Sequence, residues 1–141
     1  KSFSPKDAAD MLEVMGMLES FAAQKACKAD QKRIDHVLAM HEKMKTLFVK
    51  GKRPEYFELN QQIHDAMVDM ADNESLAMVH QTLSKRMRSL RYSGNSTPEN
   101  WRGALDDHEQ IASALEQKDV KKLQKAIQLH FENTIKRVVP T

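Results

Sequence analysis

Apolar residues along this chain recur three and four positions apart almost from end to end, and no stretch alternates with period two over a useful length. The spacing predicts six helices, near 5–27, 31–49, 54–71, 74–92, 98–117 and 120–138, each boundary placed to about three residues. Helix-starting chemistry falls at the joints. Ser4-Pro5-Lys6-Asp7 and Thr97-Pro98-Glu99 each offer a capping hydroxyl, a proline at the first helical position and an early acid. Asp30, Asn73 and Asp119 are further N-cap candidates. Gly51, the Arg53-Pro54 pair and a Ser93-Gly94-Asn95-Ser96 loop supply breaks. Helices of about 30 Å with short connections pack as an antiparallel bundle. The expected fold is therefore all-α, a bundle of about six helices forming one domain over residues 1–141.

Composition narrows the setting. With 141 residues, 40% hydrophobic and 30% charged, the chain suits one globular domain with a real core. Its 22 Lys and Arg against 20 Asp and Glu leave a formal charge of +2, without the basic excess of a nucleic-acid-binding domain. The single cysteine, Cys27, excludes an internal disulfide and a cysteine-rich zinc site. No apolar run approaches the ~18 residues of a membrane span and no signal-peptide pattern opens the chain, so a cytoplasmic setting is expected. The start at Lys1 without an initiator Met fits a piece of something longer.

Polar residues interrupt the inward faces. The third helix carries the stripe Phe57, Asn60, His64, Met67, Ala71; the fifth Leu105, His108, Ile111, Ala112, Leu115; the sixth Leu123, Ile127, His130, Thr134, Val138. A buried polar group without a partner costs on the order of 1–3 kcal/mol, so these positions need an explanation. One is that they meet: three imidazoles and one oxygen can hold Zn²⁺, Ni²⁺ or Co²⁺ with positions left open. The commoner reading of such a stripe is a histidine buried neutral beside its own partner. His41 and His80 sit on apolar stripes too, and periodicity alone does not separate them from the other three. His36 reads as solvent-facing.

Other chemistry is easier to set aside. Carboxylate-bridged di-iron bundles need Glu three residues before His, where this chain has Gln61, Leu105 and Ile127. His-Glu-x-x-His is absent, as is a glycine-rich phosphate loop. Cys27 reads as a packing residue. The nine methionines mostly fit inward faces and read as core filling rather than a pocket lining. Lys85, Arg86, Arg88 and Arg91 form the densest basic stretch, a solvated helix face, although Arg86 follows Leu83 by three and Val79 by seven and so is expected to border the interior. An inward Arg near a metal would need an anion between them, such as a carboxylate held in bidentate fashion.

These residues, taken in order, resemble the FadR-type C-terminal effector domain (FCD) of GntR-superfamily bacterial transcription regulators. The similarity runs over nearly the whole chain: Met11-Leu12-Glu13-Val14 through Leu18-Glu19 and the alanines to Ala26; Phe57-Glu58-Leu59-Asn60-Gln61-Gln62-Ile63-His64, similar to an Asp-x-x-x-His signature; Asn73; Asp107-His108 with Ile111 and Ala114; Lys118-Asp119, Ala126 and His130. The resemblance implies a buried divalent transition metal, Zn or Ni, held by Asn60, His64, His108 and His130. It further implies a small carboxylate effector at or beside the metal, with Arg86 as a candidate contact, and a homodimer. DNA would be reached only through a winged helix-turn-helix domain absent from this chain. Two departures stand out: Asn60 where the family often has Asp, and Met15 where it often has Arg, which points to a different or more apolar effector.

The expected function is thus effector sensing without catalysis. A metal-dependent helical-bundle enzyme, a hydrolase or transferase using three histidines, is the alternative. A plain interaction bundle with neutral buried histidines is the second. The sequence offers no acid clearly on the metal face as a general base, because Asp65 and Asp107 adjoin ligands and point elsewhere on their helices.

Overall fold

The structure, a computed structural model, describes residues 4–94 and 97–139. Six helices follow in order: α1 (Pro5–Ala26), α2 (Gln31–Val49), α3 (Arg53–Asp69), α4 (Glu74–Gly94), α5 (Pro98–Glu116) and α6 (Val120–Val138), with no strand among the described residues. Capping chemistry starts most of them. Ser4, Thr97 and Asp119 accept from the backbone N–H groups of Asp7, Asn100 and Lys122, each at 3.1 Å, and Asn73 accepts from Leu76 N–H at 3.0 Å. Asp30 precedes α2 but makes no side-chain capping bond; its carbonyl takes the amides of Arg33 and Ile34 instead. Gly94 is the last residue of α4 rather than a loop residue, and Asn95 and Ser96 lie outside the described residues.

The joints are tight. After α2, Lys52 N–H reaches Leu47 O at 2.9 Å and Gly51 N–H reaches Phe48 O at 3.0 Å, with Gly51 at φ 69°. This paired closure needs the left-handed backbone that glycine adopts without penalty. Lys118 makes the same closure after α5 at φ 55°.

α1 packs most closely on α6, so the first and last helices lie together; α5 also lies on α6, and α2 bridges α3 and α5. Gly16 permits the α1–α6 approach, since a Cβ there would stand 3.2 Å from the Phe131 side chain. Leu12, Met15, Ile34, Met44, Ile63, Ile111, Leu115, Leu123 and Ile127 form the fully buried core. Most methionines pack inward as expected, but Met17 and Met78 are 67% and 70% exposed. No described helix is long and apolar enough to cross a membrane.

Candidate metal centre

A polar layer crosses the middle of this core. His64 comes from α3, His108 from α5 and His130 from α6, all fully or nearly fully buried. One ring nitrogen of each lies within 4.8 Å of the others. The ring centroids are 5.1 Å apart for His64 and His108, 4.7 Å for His108 and His130, and 5.5 Å for His64 and His130. Of the histidines on apolar stripes, these are the three that converge.

Carboxylates behind the rings select the tautomers. Nδ1 of His64 stands 2.7 Å from Glu19 Oε1, and Nδ1 of His130 stands 2.9 Å from Asp107 Oδ2. Each Nδ1–H therefore donates outward, which leaves Nε2 as the nitrogen with a lone pair to offer. Ligating histidines are oriented by carboxylates in this way, which also raises their basicity. Donors on a tetrahedral zinc at about 2.1 Å stand about 3.4 Å apart, so a spread below 4.8 Å closes by small side-chain rotations. The donor set fits a borderline divalent ion.

Glu19 is a carboxylate with 1% side-chain exposure in an apolar helix face. Burial alone would push its pKa up. The His64 and His80 imidazoles outweigh that and hold it well below the usual carboxylate range. His80 Nε2 donates to Oε2 at 2.9 Å, and its Nδ1 faces Asp65 at 3.8 Å. His80 is thus drawn to the same carboxylate from the α4 side and does not join the three-ring cluster. Burial also raises Asp65 above its ordinary value.

Asp107 ties α5 to the far end of α6. Besides His130 it accepts from Asn133 Nδ2 at 3.0 Å and from Arg137 at 2.8 Å. Its burial is opposed by His130 and Arg137, and its pKa falls below the ordinary value. The expectation that Asp107 points elsewhere holds for the metal face but overlooked its grip on His130 from behind.

His41, on α2, lies against the cluster with its ring centroid 5.3 Å from that of His108. It is buried, and its Nε2 has no hydrogen-bond partner among the described residues. Burial and the neighbouring His64 and His130 push its pKa down to about 3, so the ring is neutral. His41 and His108 also line a cavity of about 220 Å³ between α2 and α5, walled further by Leu38, Lys45, Leu105 and Glu109.

Asn60 is buried one turn before His64, on the same face of α3. Met15 is fully buried on α1. Arg86 does not border the interior. The inward row of α4 is Leu76, His80, Ser84 and Met87; on the flank that carries Arg86, Leu83 is half-buried against the core, but Val79 is 50% exposed and the Arg86 side chain is exposed. Lys85 and Arg88 are exposed as expected, while the Arg91 side chain lies outside the described residues. His36 is exposed and Cys27 is buried, both as expected.

The FCD domain family matches residues 10–133. McbR/YncC of E. coli is similar in structure, with a TM-score of 0.76 at 17% identity, covering 87% of this chain and 63% of that one. The chain therefore spans less than two-thirds of that protein's length. No curated protein sequence matches significantly.

Proposed function

Because the chain belongs to the FCD domain family, the effector-binding domains of GntR-family regulators, we propose that it senses a small organic acid at a buried divalent metal. His64, His108 and His130 would hold the ion, with Asn60 contributing an amide oxygen. The observation that carries this reading is the pair of backing carboxylates. Glu19 and Asp107 set two of the three rings in the tautomer that presents Nε2 as a ligand. A neutral core histidine needs one partner; three rings that bring a nitrogen each to within 4.8 Å of one another are what a cation needs.

The ion, zinc or nickel by its donor set, supplies a Lewis-acidic point to which an effector oxygen can bind. The cavity between α2 and α5 ends on His108 and His41 and has room for a small molecule. His41 offers a buried ring nitrogen to that molecule. Lys45 is the cationic side chain on its wall, already paired with Glu42 at 3.2 Å. With Arg86 exposed and Met15 in the core, carboxylate recognition would rest on the ion itself.

In the cell the domain would act as a homodimer in the cytoplasm, coupled to a DNA-binding domain beyond this chain, with residues 1–141 as one effector and dimerisation unit. An effector shifts such a dimer only by its differential affinity for the two arrangements. An enzyme would need a general base on the open side of the metal. Glu19 and Asp107 both turn their oxygens to imidazole N–H groups and so do not supply it; Glu42 and Glu109, on the wall of the α2–α5 cavity, are the acids that the enzyme reading would have to use. Elemental analysis of purified protein tests the reading: about one equivalent of zinc or nickel is expected, and none in His108→Ala. Metal content unchanged in that variant refutes the site.

A further inference from the structure

The outer face of α1 has an order that the metal site does not use. Val14, Met17 and Phe21 are 41%, 67% and 49% exposed, and they follow one another at spacings of three and four. They form an apolar seam along the solvent side of the helix. Asp7 and Asp10 lie exposed toward its start, Asp10 paired with Lys6 at 2.8 Å; Lys25 lies exposed in its last turn and Lys28 just beyond its cap at Cys27. Placed antiparallel against its own copy, the helix would oppose Asp7 to Lys28, Asp10 to Lys25 and Val14 to Phe21. Every one of these pairs is centred midway between positions 17 and 18. The charge and the apolar pattern thus share a single two-fold centre, the self-complementarity an isologous interface requires.

We infer that the α1 outer face is the surface on which two copies of this chain pair, antiparallel, about an axis beside Met17. The inference rests on the homodimer reading above and names its interface. A helix of 22 residues offers a strip on the order of 300 Å², short of the roughly 800 Å² per partner of a stable complex. The α6 edge extends it. Met17 and Gln128 line one shallow groove between α1 and α6, and Leu129, the next residue, is 48% exposed. Since Glu19 projects inward from the same helix to His64, the seam lies on the back of an element that positions the metal centre.

Sedimentation equilibrium on this chain tests the interface. The unaltered chain should be a dimer. Met17→Glu with Phe21→Glu should raise the dissociation constant at least about 100-fold, with helicity by circular dichroism and metal content unchanged. Reversal of the acidic end alone (Asp7→Lys, Asp10→Lys) should weaken the dimer, and adding Lys25→Glu and Lys28→Glu should restore it. Met17→Cys, close to the axis, should yield a disulfide-linked dimer on mild oxidation, whereas the equally exposed Met78→Cys should not. A monomer at the highest soluble concentration, a dimer that survives both glutamates, or equal cross-linking at 17 and 78 would overturn the proposal. Metal content decides separately: a metal-loaded monomer sinks the interface alone, and a metal-free dimer sinks the site alone.

Discussion

The interior of this bundle has two kinds of core built on the same helices. One is apolar: Leu12, Ile34, Met44, Leu115, Leu123 and Ile127, all fully buried. The other is the polar layer of Glu19, His41, His64, His80, His108 and His130, buried nearly as deeply. Both obey the same helical period, but they are held differently. A methylene is content beside any neighbour, so the apolar core tolerates exchange of like for like. A buried carboxylate or imidazole is stable only with particular partners, so each member of the polar layer constrains the helix opposite. Glu19 joins α1 to α3 and α4, and Asp107 joins α5 to α6.

The largest effect should therefore come from breaking the polar layer at its most shared member. Glu19→Ala removes the partner of two imidazoles at once and should destabilise by about 3–5 kcal/mol, read by urea denaturation. Ile127→Ala, at similar burial, should cost about 2–5 kcal/mol through its cavity. The two variants part in kind: only Glu19→Ala should also lose metal affinity, because His64 is no longer held in its tautomer.

Metal removal comes next. A chelator should lower the melting temperature of the unaltered chain, since an ion at 100 times its dissociation constant stabilises by about 2.7 kcal/mol. His108→Ala should already melt at the chelated value and gain nothing from added zinc. A variant that still responds to zinc removes His108 from the site. Asp107→Asn, by competition with a chromophoric chelator, should bind the ion about 10–100-fold more weakly. Equal affinity would show that the bond to His130 is structural only.

Acidity probes His41 against the rest. Its imidazole has an ordinary value of 6.5 and stays neutral in the fold down to about 3. Below pH 6.5 the unfolded chain takes a proton that the folded chain refuses, so stability falls from there toward pH 3. The Glu19 carboxyl, held low by its histidines, adds stability above its ordinary value that is lost on further acidification. In chelated buffer, His41→Phe should flatten the part of the decline that starts near pH 6.5; an unchanged slope would assign that loss to other groups. The smallest effect is expected at His36, exposed on α2, where His36→Ala should change stability by less than about 0.5 kcal/mol and leave metal binding alone.

Much of this was legible in the sequence. The predicted helices agree with the observed ones to within about two residues, because period and caps are local properties. Family resemblance chose His64, His108 and His130 from a field that periodicity left level. Two things escaped. Glu19 was visible as a lone acid on the stripe Leu12, Met15, Ala22, Ala26, yet nothing local says which helix it faces. Asp107 was set aside because it adjoins His108, although its real partner lies 23 positions later on α6. Arg86 went the other way, placed inward by a row of which Leu83 packs on the core while Val79 is 50% exposed and Arg86 itself is exposed.

By itself, then, the order of residues determined the helices, their joints, their apolar faces and the family to which they belong. These follow from forces acting within one or two turns. Only packing decided which polar side chains meet: His80 with Glu19 rather than with the ring cluster, Asp107 with His130, His41 against His108. A side chain's partner across the core depends on how helices distant in the chain are turned and staggered, and no local period encodes that.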